Sequence, residues 1–214
     1  MTKTPKAVKI NRKKKAGAVM PPKPRFTKEE MVNAALLTVS KNGPQALTAR
    51  ELGKSLSSSA RPIFTVFKNM DELRAEVKKA AMLRFEDFCK DEFKDMPEFK
   101  RVGMKMVMFA AHEPKLFSLL FMSENKNAVS FDDVFSELGI EAGACIDAVC
   151  RDYNMTRTSA KRVLESVWIY TFGVCVLCAT GACRFKEDEL SRMLSDEFSA
   201  VAAFVKNEES AREK

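Results

Sequence analysis

Histidine is nearly missing from this chain: His112 is the single one among 214 residues. Metal sites built on two or three imidazoles are thereby excluded, and the HExxH, GxSxG, GxGxxG and P-loop patterns are missing as well. A lone histidine beside Glu113 reads as a helix-end residue rather than a general base. The expectation is a protein that is not an enzyme and that holds no metal and no cofactor. The apolar stretch of a secretory leader is also lacking, which makes the cytoplasm the expected location. Six cysteines fit that compartment as reduced, mostly buried thiols rather than as a disulfide framework. No stretch alternates apolar and polar residues as a strand does, so the expected fold class is all-α.

Acid is lacking at one end. Residues 1–25 carry nine basic side chains (Lys3, Lys6, Lys9, Arg12, Lys13, Lys14, Lys15, Lys23 and Arg25) and no Asp or Glu. The whole chain has a formal charge of +7, so the other 189 residues carry a net −2. A near-neutral body with a cationic arm points to a polyanionic partner. With Pro5, Pro21, Pro22 and Pro24 and almost nothing apolar, the arm is expected to be disordered until bound. Charge is lacking again over 166–183, a run of eighteen residues that reaches the length of a membrane span. Ser166, Tyr170, Thr171, Gly173, Thr180 and Gly181 dilute it, and Glu165 and Arg184 bracket it. A helix enclosed by partner helices reads the same way, and membrane insertion is the disfavoured reading.

What is present is most informative between residues 26 and 77. Thr27 and Glu30 have the spacing of a capping box, with Phe26 and Met31 placed to staple it. Val32, Ala35, Leu36 and Val39 then recur at helical spacing, and Asn42-Gly43 supplies a stop. The grammar repeats with Thr48 and Glu51 flanked by Leu47 and Leu52, and with Asn69 and Glu72 ahead of Leu73. Between these boxes a serine turn precedes a very short helix over about residues 60–66, with Ser59 expected as N-cap and Pro62 in its first turn, where the missing N–H costs nothing. Leu52, Leu56, Ile63 and Phe67 are expected to face inward. Arg61, Phe64 and Thr65 would project outward. A short helix held crosswise by a tight turn is the grammar of the helix-turn-helix, whose second helix enters the major groove by its N-terminal end. Arg61 sits there, with a planar fork suited to guanine O6 and N7 or to a phosphate.

The segment from Leu47 to Lys54 (Leu-Thr-Ala-Arg-Glu-Leu-Gly-Lys), followed by Ser59 and by Ile63-Phe64-Thr65-Val66-Phe67-Lys68-Asn69-Met70-Asp71-Glu72-Leu73, resembles the DNA-binding signature of the TetR family of transcriptional regulators. The likeness covers about fifty residues. Where that family turns on Gly-Val this chain has Ser57-Ser58, and Val66 stands where a tyrosine is frequent. The resemblance implies an N-terminal three-helix helix-turn-helix domain (26–70) behind the basic arm (1–25), and a helical ligand-binding and dimerisation domain (71–214). It implies contacts to double-stranded operator DNA through Thr48 and Arg50 at the groove edge, through Ser59, Ala60, Arg61 and Pro62 facing the bases, and through Phe64, Thr65 and Lys68 at the backbone or a thymine methyl. It also implies a homodimer, built by the last two long helices, that reads a near-palindrome.

Beyond Asn69 the pattern continues as long helices. One is expected to about Phe93, one from Pro97 to near His112, one over Pro114 to Met122, one or two over Phe131 to Tyr153, one from Thr158 to Gly181, and a last from Glu187 to Lys206. Leu190, Leu194, Phe198, Val201, Ala202 and Val205 line one side of the last. Following the resemblance, a cavity for a small apolar effector would be lined by Phe88, Phe99, Met104, Met108, Phe109, Phe117, Phe121, Tyr153 and Trp168; ordinary core is the alternative for each. Two other classes fit parts of the chain. One is a helical interaction or membrane-associated module whose basic arm binds lipid headgroups. The other is a cysteine redox sensor built on Cys175-x-x-Cys178. That pair sits inside an apolar helix rather than at a helix start, which leaves thiolates unstabilised, and with Cys183 and no nearby histidine it makes a poor zinc site. Cys145 and Cys150, five apart, share no helix face well.

Overall fold

A computed structural model describes residues 26–88, 93–123, 129–137 and 142–212. The basic arm lies outside them. Among the described residues every regular element is helical, so the all-α class holds.

The first helix, α1 (Lys28–Asn42), starts where the sequence marks it. Thr27 accepts from the Glu30 backbone N–H at 3.1 Å, and the Glu30 carboxylate accepts from the Thr27 N–H at 2.8 Å. A full capping box therefore closes two orphan donors. Gly43, at φ 88°, ends it and leads into a 3-10 turn at Pro44–Ala46. The two later boxes form only by half. Thr48 accepts from the Glu51 N–H at 3.2 Å and so caps α2 (Ala49–Ser55), but the Glu51 carboxylate turns to Lys54 at 2.7 Å. Asn69 likewise caps α4 (Met70–Asp87) through the Glu72 N–H, while the Glu72 carboxylate takes the Lys68 N–H at 2.7 Å. In each case a nearer donor displaces the reciprocal bond.

Between α2 and α4 lies α3, which covers only Ile63–Val66 and is not capped by Ser59. The chain coils ahead of it through i→i+3 bonds, Ile63 to Ala60 at 3.2 Å, Phe64 to Arg61 at 3.2 Å and Thr65 to Pro62 at 3.1 Å. Pro62 explains the difference. Its ring disfavours the helical region at the preceding residue and it donates no N–H, so a 3-10-type coil replaces the first α-turn.

The remaining elements are α5 (Glu98–His112), α6 (Pro114–Phe121), α7 (Phe131–Glu137), α8 (Ala142–Tyr153), α9 (Arg157–Thr180) and α10 (Glu187–Arg212). The helix expected to reach Phe93 stops at Asp87 instead. Phe88 becomes extended, and its ring packs edge-on against Phe109 at 5.3 Å. The last helix runs six residues past the expected Lys206.

Two apolar clusters hold these helices. One joins Met31, Leu52, Ile63, Phe67 and Leu73 to Phe109, Leu116, Phe117, Leu190 and Leu194. It passes residue 70 without a break, so α1–α4 are cored together with the body. The other gathers Phe135, Ile146, Val163, Val167, Phe198 and Val205 from α7–α10. On α10, Leu190, Leu194, Phe198, Ala202 and Val205 all lie buried, Val201 partly so, and this helix packs on α9 and α5.

The turn after α2 stores strain at one residue and close packing at another. Ser57, where the resembled family has glycine, adopts φ 48°. Gly53 faces the turn so closely that a Cβ there would lie 3.0 Å from the Ala60 nitrogen and 3.1 Å from the Ser58 oxygen. Both are backbone atoms that cannot step aside. Gly53→Ala should therefore cost about 1–3 kcal/mol, as overpacking does. Ser57→Gly should gain about 0.5 kcal/mol, left-handed relief less the entropy of an added glycine. Urea denaturation of the two variants checks both signs, and a Gly53→Ala protein as stable as wild type would contradict the packing described.

Candidate nucleic-acid interface

Two short helices and the turn between them form one unit because their inward side chains are buried. Leu52 of α2, Ile63 of α3 and Phe67 just beyond it are 0–1% exposed, and Leu56 and Ala60 pack against the same cluster. Lys28 lies over the Phe67 ring at 5.8 Å, tying α1 to the end of α3.

The residues expected to meet DNA fall on the outside of this unit. Thr48, Arg50, Ser59, Arg61, Phe64, Thr65 and Lys68 are exposed, while Ala60 and Pro62 are half-buried. Phe64 is 51% exposed, a large apolar surface to leave in water on a helix of four residues. Two hydroxyls are already engaged, Thr48 as the α2 cap and Thr65 donating to the Pro62 carbonyl at 2.6 Å. Such bonds fix rotamers and leave an oxygen lone pair for a further donor.

The cations on and around this face divide into paired and unpaired ones. Lys28, Lys54, Arg74, Lys79 and Arg84 are each ion-paired, to Glu76, Glu51, Asp71, Glu76 and Glu113. Among the described residues, the side chains of Arg50, Arg61 and Lys68 have no such partner. The Lys54 ammonium holds the Glu51 carboxyl below its ordinary range, so the one acid within α2 is ionised and neutralised locally.

The connection to the body converges on Glu113, between α5 and α6. Its carboxylate accepts from the Ser40 hydroxyl of α1 at 3.3 Å and pairs with the Arg84 guanidinium of α4. The side chain is only 17% exposed, so this contact is partly shielded from water.

In the body, a cavity of about 290 Å³ opens between α5, α8, α9 and α10. Tyr153, Trp168 and Phe99 line it, as expected. Phe88, Met104, Met108, Phe109, Phe117 and Phe121 do not; they belong to the other apolar cluster, where Phe85–Phe109, Phe88–Phe109 and Phe117–Phe121 ring contacts fill the space. The correction has a simple cause. Helical periodicity marks the inward face of α5, but that face is divided lengthwise between a packed core and a hollow. Phe135, Leu164, Thr171, Leu194 and Phe198 also belong to the hollow's wall; the sequence marks Leu194 and Phe198 as an inward stripe but none of the five as lining.

The sulfur groups and the uncharged run also find their places. Cys175 is fully buried and burial pushes its thiol well above the ordinary range; Cys178 is raised for the same reason. Neither favours a reactive thiolate. The helix α9 is long and apolar enough to cross a membrane, by length and composition. Its outer face leaves Ile169 60% and Leu177 41% exposed, with nothing within 4 Å of where a Gly173 side chain would begin.

No family model and no curated protein matches this chain, so the reading that follows rests on its own residues.

Proposed function

We propose that this chain is a transcriptional regulator of the TetR type, a repressor that binds a near-palindromic DNA operator as a homodimer. In this reading α2, the serine turn and α3 form a helix-turn-helix, and the protein is not an enzyme. The observation that carries it is the exposed, unpaired set Arg50, Arg61 and Lys68 around the exposed Phe64, on a unit whose other side buries Leu52, Ile63 and Phe67. Paired cations would have to break an ion pair to meet phosphate; these do not. Arg61 sits ahead of α3, where a guanidinium reaches base edges, while Arg50 and Lys68 flank it at phosphate positions. Thr48, Ser59, Ala60, Pro62 and Thr65 supply the remaining close contacts. The basic arm, which ends just before Phe26, would follow the neighbouring groove.

Homodimerisation is supported by the outer face of α9. Ile169, Gly173 and Leu177 recur every four residues and carry no charge, and Phe204 of α10 is 57% exposed. The inner stripe of α10 is already spent on α9 and α5, so the pairing surface is this outer face. The same surface accounts for the 166–183 run without lipid. Two copies would place their α3 helices one DNA turn apart, about 34–36 Å. A small apolar effector in the body cavity would release the operator by moving the Glu113 junction.

Three measurements test the reading. Arg61→Ala should weaken operator binding by about 1–3 kcal/mol and relax preference at one base pair per half-site. Fluorescence anisotropy against single-substitution operators reads both, and a loss equal across all sequences reassigns Arg61 to phosphate. Deleting residues 1–24 should lower affinity broadly and flatten the dependence of log K on log salt, with operator choice kept. An unchanged slope removes the arm from DNA. Leu177→Glu should convert the dimer to monomer in sedimentation equilibrium, because two like charges would face each other across an apolar seam; a dimer of undiminished strength would place the interface elsewhere.

A further inference from the structure

We propose that the body cavity binds an apolar monocarboxylate of about ten carbons, its carboxylate held at the start of α5. The volume, about 290 Å³, lies at the lower end of the range for small-molecule sites and so suits a medium-chain body rather than a bulky one. Its wall is aromatic on two sides. Trp168 stands edge-on to Phe135 at 4.9 Å, and Phe198 stacks obliquely on Phe99 at 5.2 Å and on Tyr153 at 4.7 Å.

The polar groups in this wall have one sign to satisfy. Lys100 lines the cavity, half-buried, and has no acidic partner among the described residues. Asp152, the acid that shares the cavity, is exposed and pairs with the Arg151 guanidinium at 2.9 Å, so its charge is screened by water and by that pair. The N-terminus of α5 lacks a side-chain cap, because Pro97 occupies that position. Its first-turn N–H groups therefore remain open to an acceptor, and their dipole favours an anion. Thr171 is only 4% exposed and lines the same hollow, yet its hydroxyl makes no hydrogen bond among the described residues. No buried side-chain oxygen among the described residues lacks a partner, so the Thr171 hydroxyl oxygen opens onto the cavity, where it can meet a ligand oxygen.

These donors lie on one stretch of wall. Gly103 is one turn on from Lys100, and a Cβ there would sit 3.9 Å from the Thr171 hydroxyl oxygen. The Lys100 ammonium, the first-turn amides and the Thr171 hydroxyl match a single carboxylate, while the Tyr153, Ser195 and Ser199 hydroxyls lie elsewhere along the lining. A dianionic phosphate would leave charge uncompensated. Regulation of DNA binding through this site rests on the reading proposed above: α5 bears the cavity at one end, and Glu113, which grips Ser40 and Arg84, follows its other end. Ligand binding itself does not depend on it.

Trp168, the only tryptophan, reports occupancy directly. Titration of the full chain with decanoate should give a saturable change in its emission, at least tenfold tighter than titration with decan-1-ol. Lys100→Met should erase that preference while leaving alcohol binding in place. Gly103→Ala, whose new methyl would meet Leu194 at 3.4 Å without a clash, should weaken decanoate several-fold without lowering the melting temperature. An unsaturable response, equal affinity for acid and alcohol, or a preference that survives Lys100→Met overturns the site. Decanoate should also lower operator affinity 5–150-fold. A protein that binds no DNA defeats the regulator reading, while the Trp168 titration still decides the site.

Discussion

A helix of four residues cannot hold itself together. Nucleating a single turn is unfavourable, and isolated helices shorter than about twelve residues are marginal in water. The α3 segment therefore exists only because Ile63 and Phe67, on its inner side, are driven into the cluster formed by α1, α2 and α4. Fully burying each such side chain contributes about 1.5–3 kcal/mol. That anchorage fixes which atoms remain outside, and it keeps Phe64 in water against its own hydrophobicity. Gly53 sets the distance: with no side chain there, the turn lies against α2 itself, and α3 cannot drift away from the core. Everything proposed about recognition follows from this bracing, since an unbraced Arg61 would spend its binding free energy on being ordered.

The same economy of surfaces explains α9. Its inner face is used twice, by the first cluster through Val174 and Cys175 and by the second through Val163 and Val167. What is left over is an outer strip without charge, which hydropathy cannot distinguish from a membrane span. One side of this helix packs against α5, α8 and α10. The exposed strip is narrow and contains a glycine, which lets a second helix approach closely.

Much of the N-terminal half was legible in the sequence because its signals are local. Thr27, Thr48 and Asn69 cap as their spacing predicts, and Gly43 and Gly181 end helices where they stand. The errors began where a second partner competed for a group. Glu51 and Glu72 complete no capping box because Lys54 and the Lys68 N–H are nearer donors. Ser59 does not cap α3 because Pro62 changes the coil ahead of it. The cavity was the least legible feature. Met104, Phe109 and Phe117 have the spacing of a wall but are packed solid, while Phe135, Thr171 and Phe198 carry no sequence mark that separates lining from core. A hollow is a mismatch between helices distant in the chain, and periodicity along one helix does not encode it.

In the proposed regulator, what would couple these parts is the length of α5. From Gly103 at the cavity to Glu113 beyond its end is ten residues, about 15 Å of helix at 1.5 Å per residue. Side chains close to the cavity can shift only by moving the rod they stand on, since Met104, Met106, Val107, Phe109 and Ala110 are packed without exposure along its other side. Such interiors transmit displacement rather than absorb it. At the far end Glu113 holds α1 by one hydrogen bond and α4 by one ion pair, and α4 begins two residues after Lys68, behind its Asn69 cap. A small rotation of α5 would thus load these two partly shielded polar contacts first, and the apolar cluster around Ile63 and Phe67 would carry the rest to Arg61.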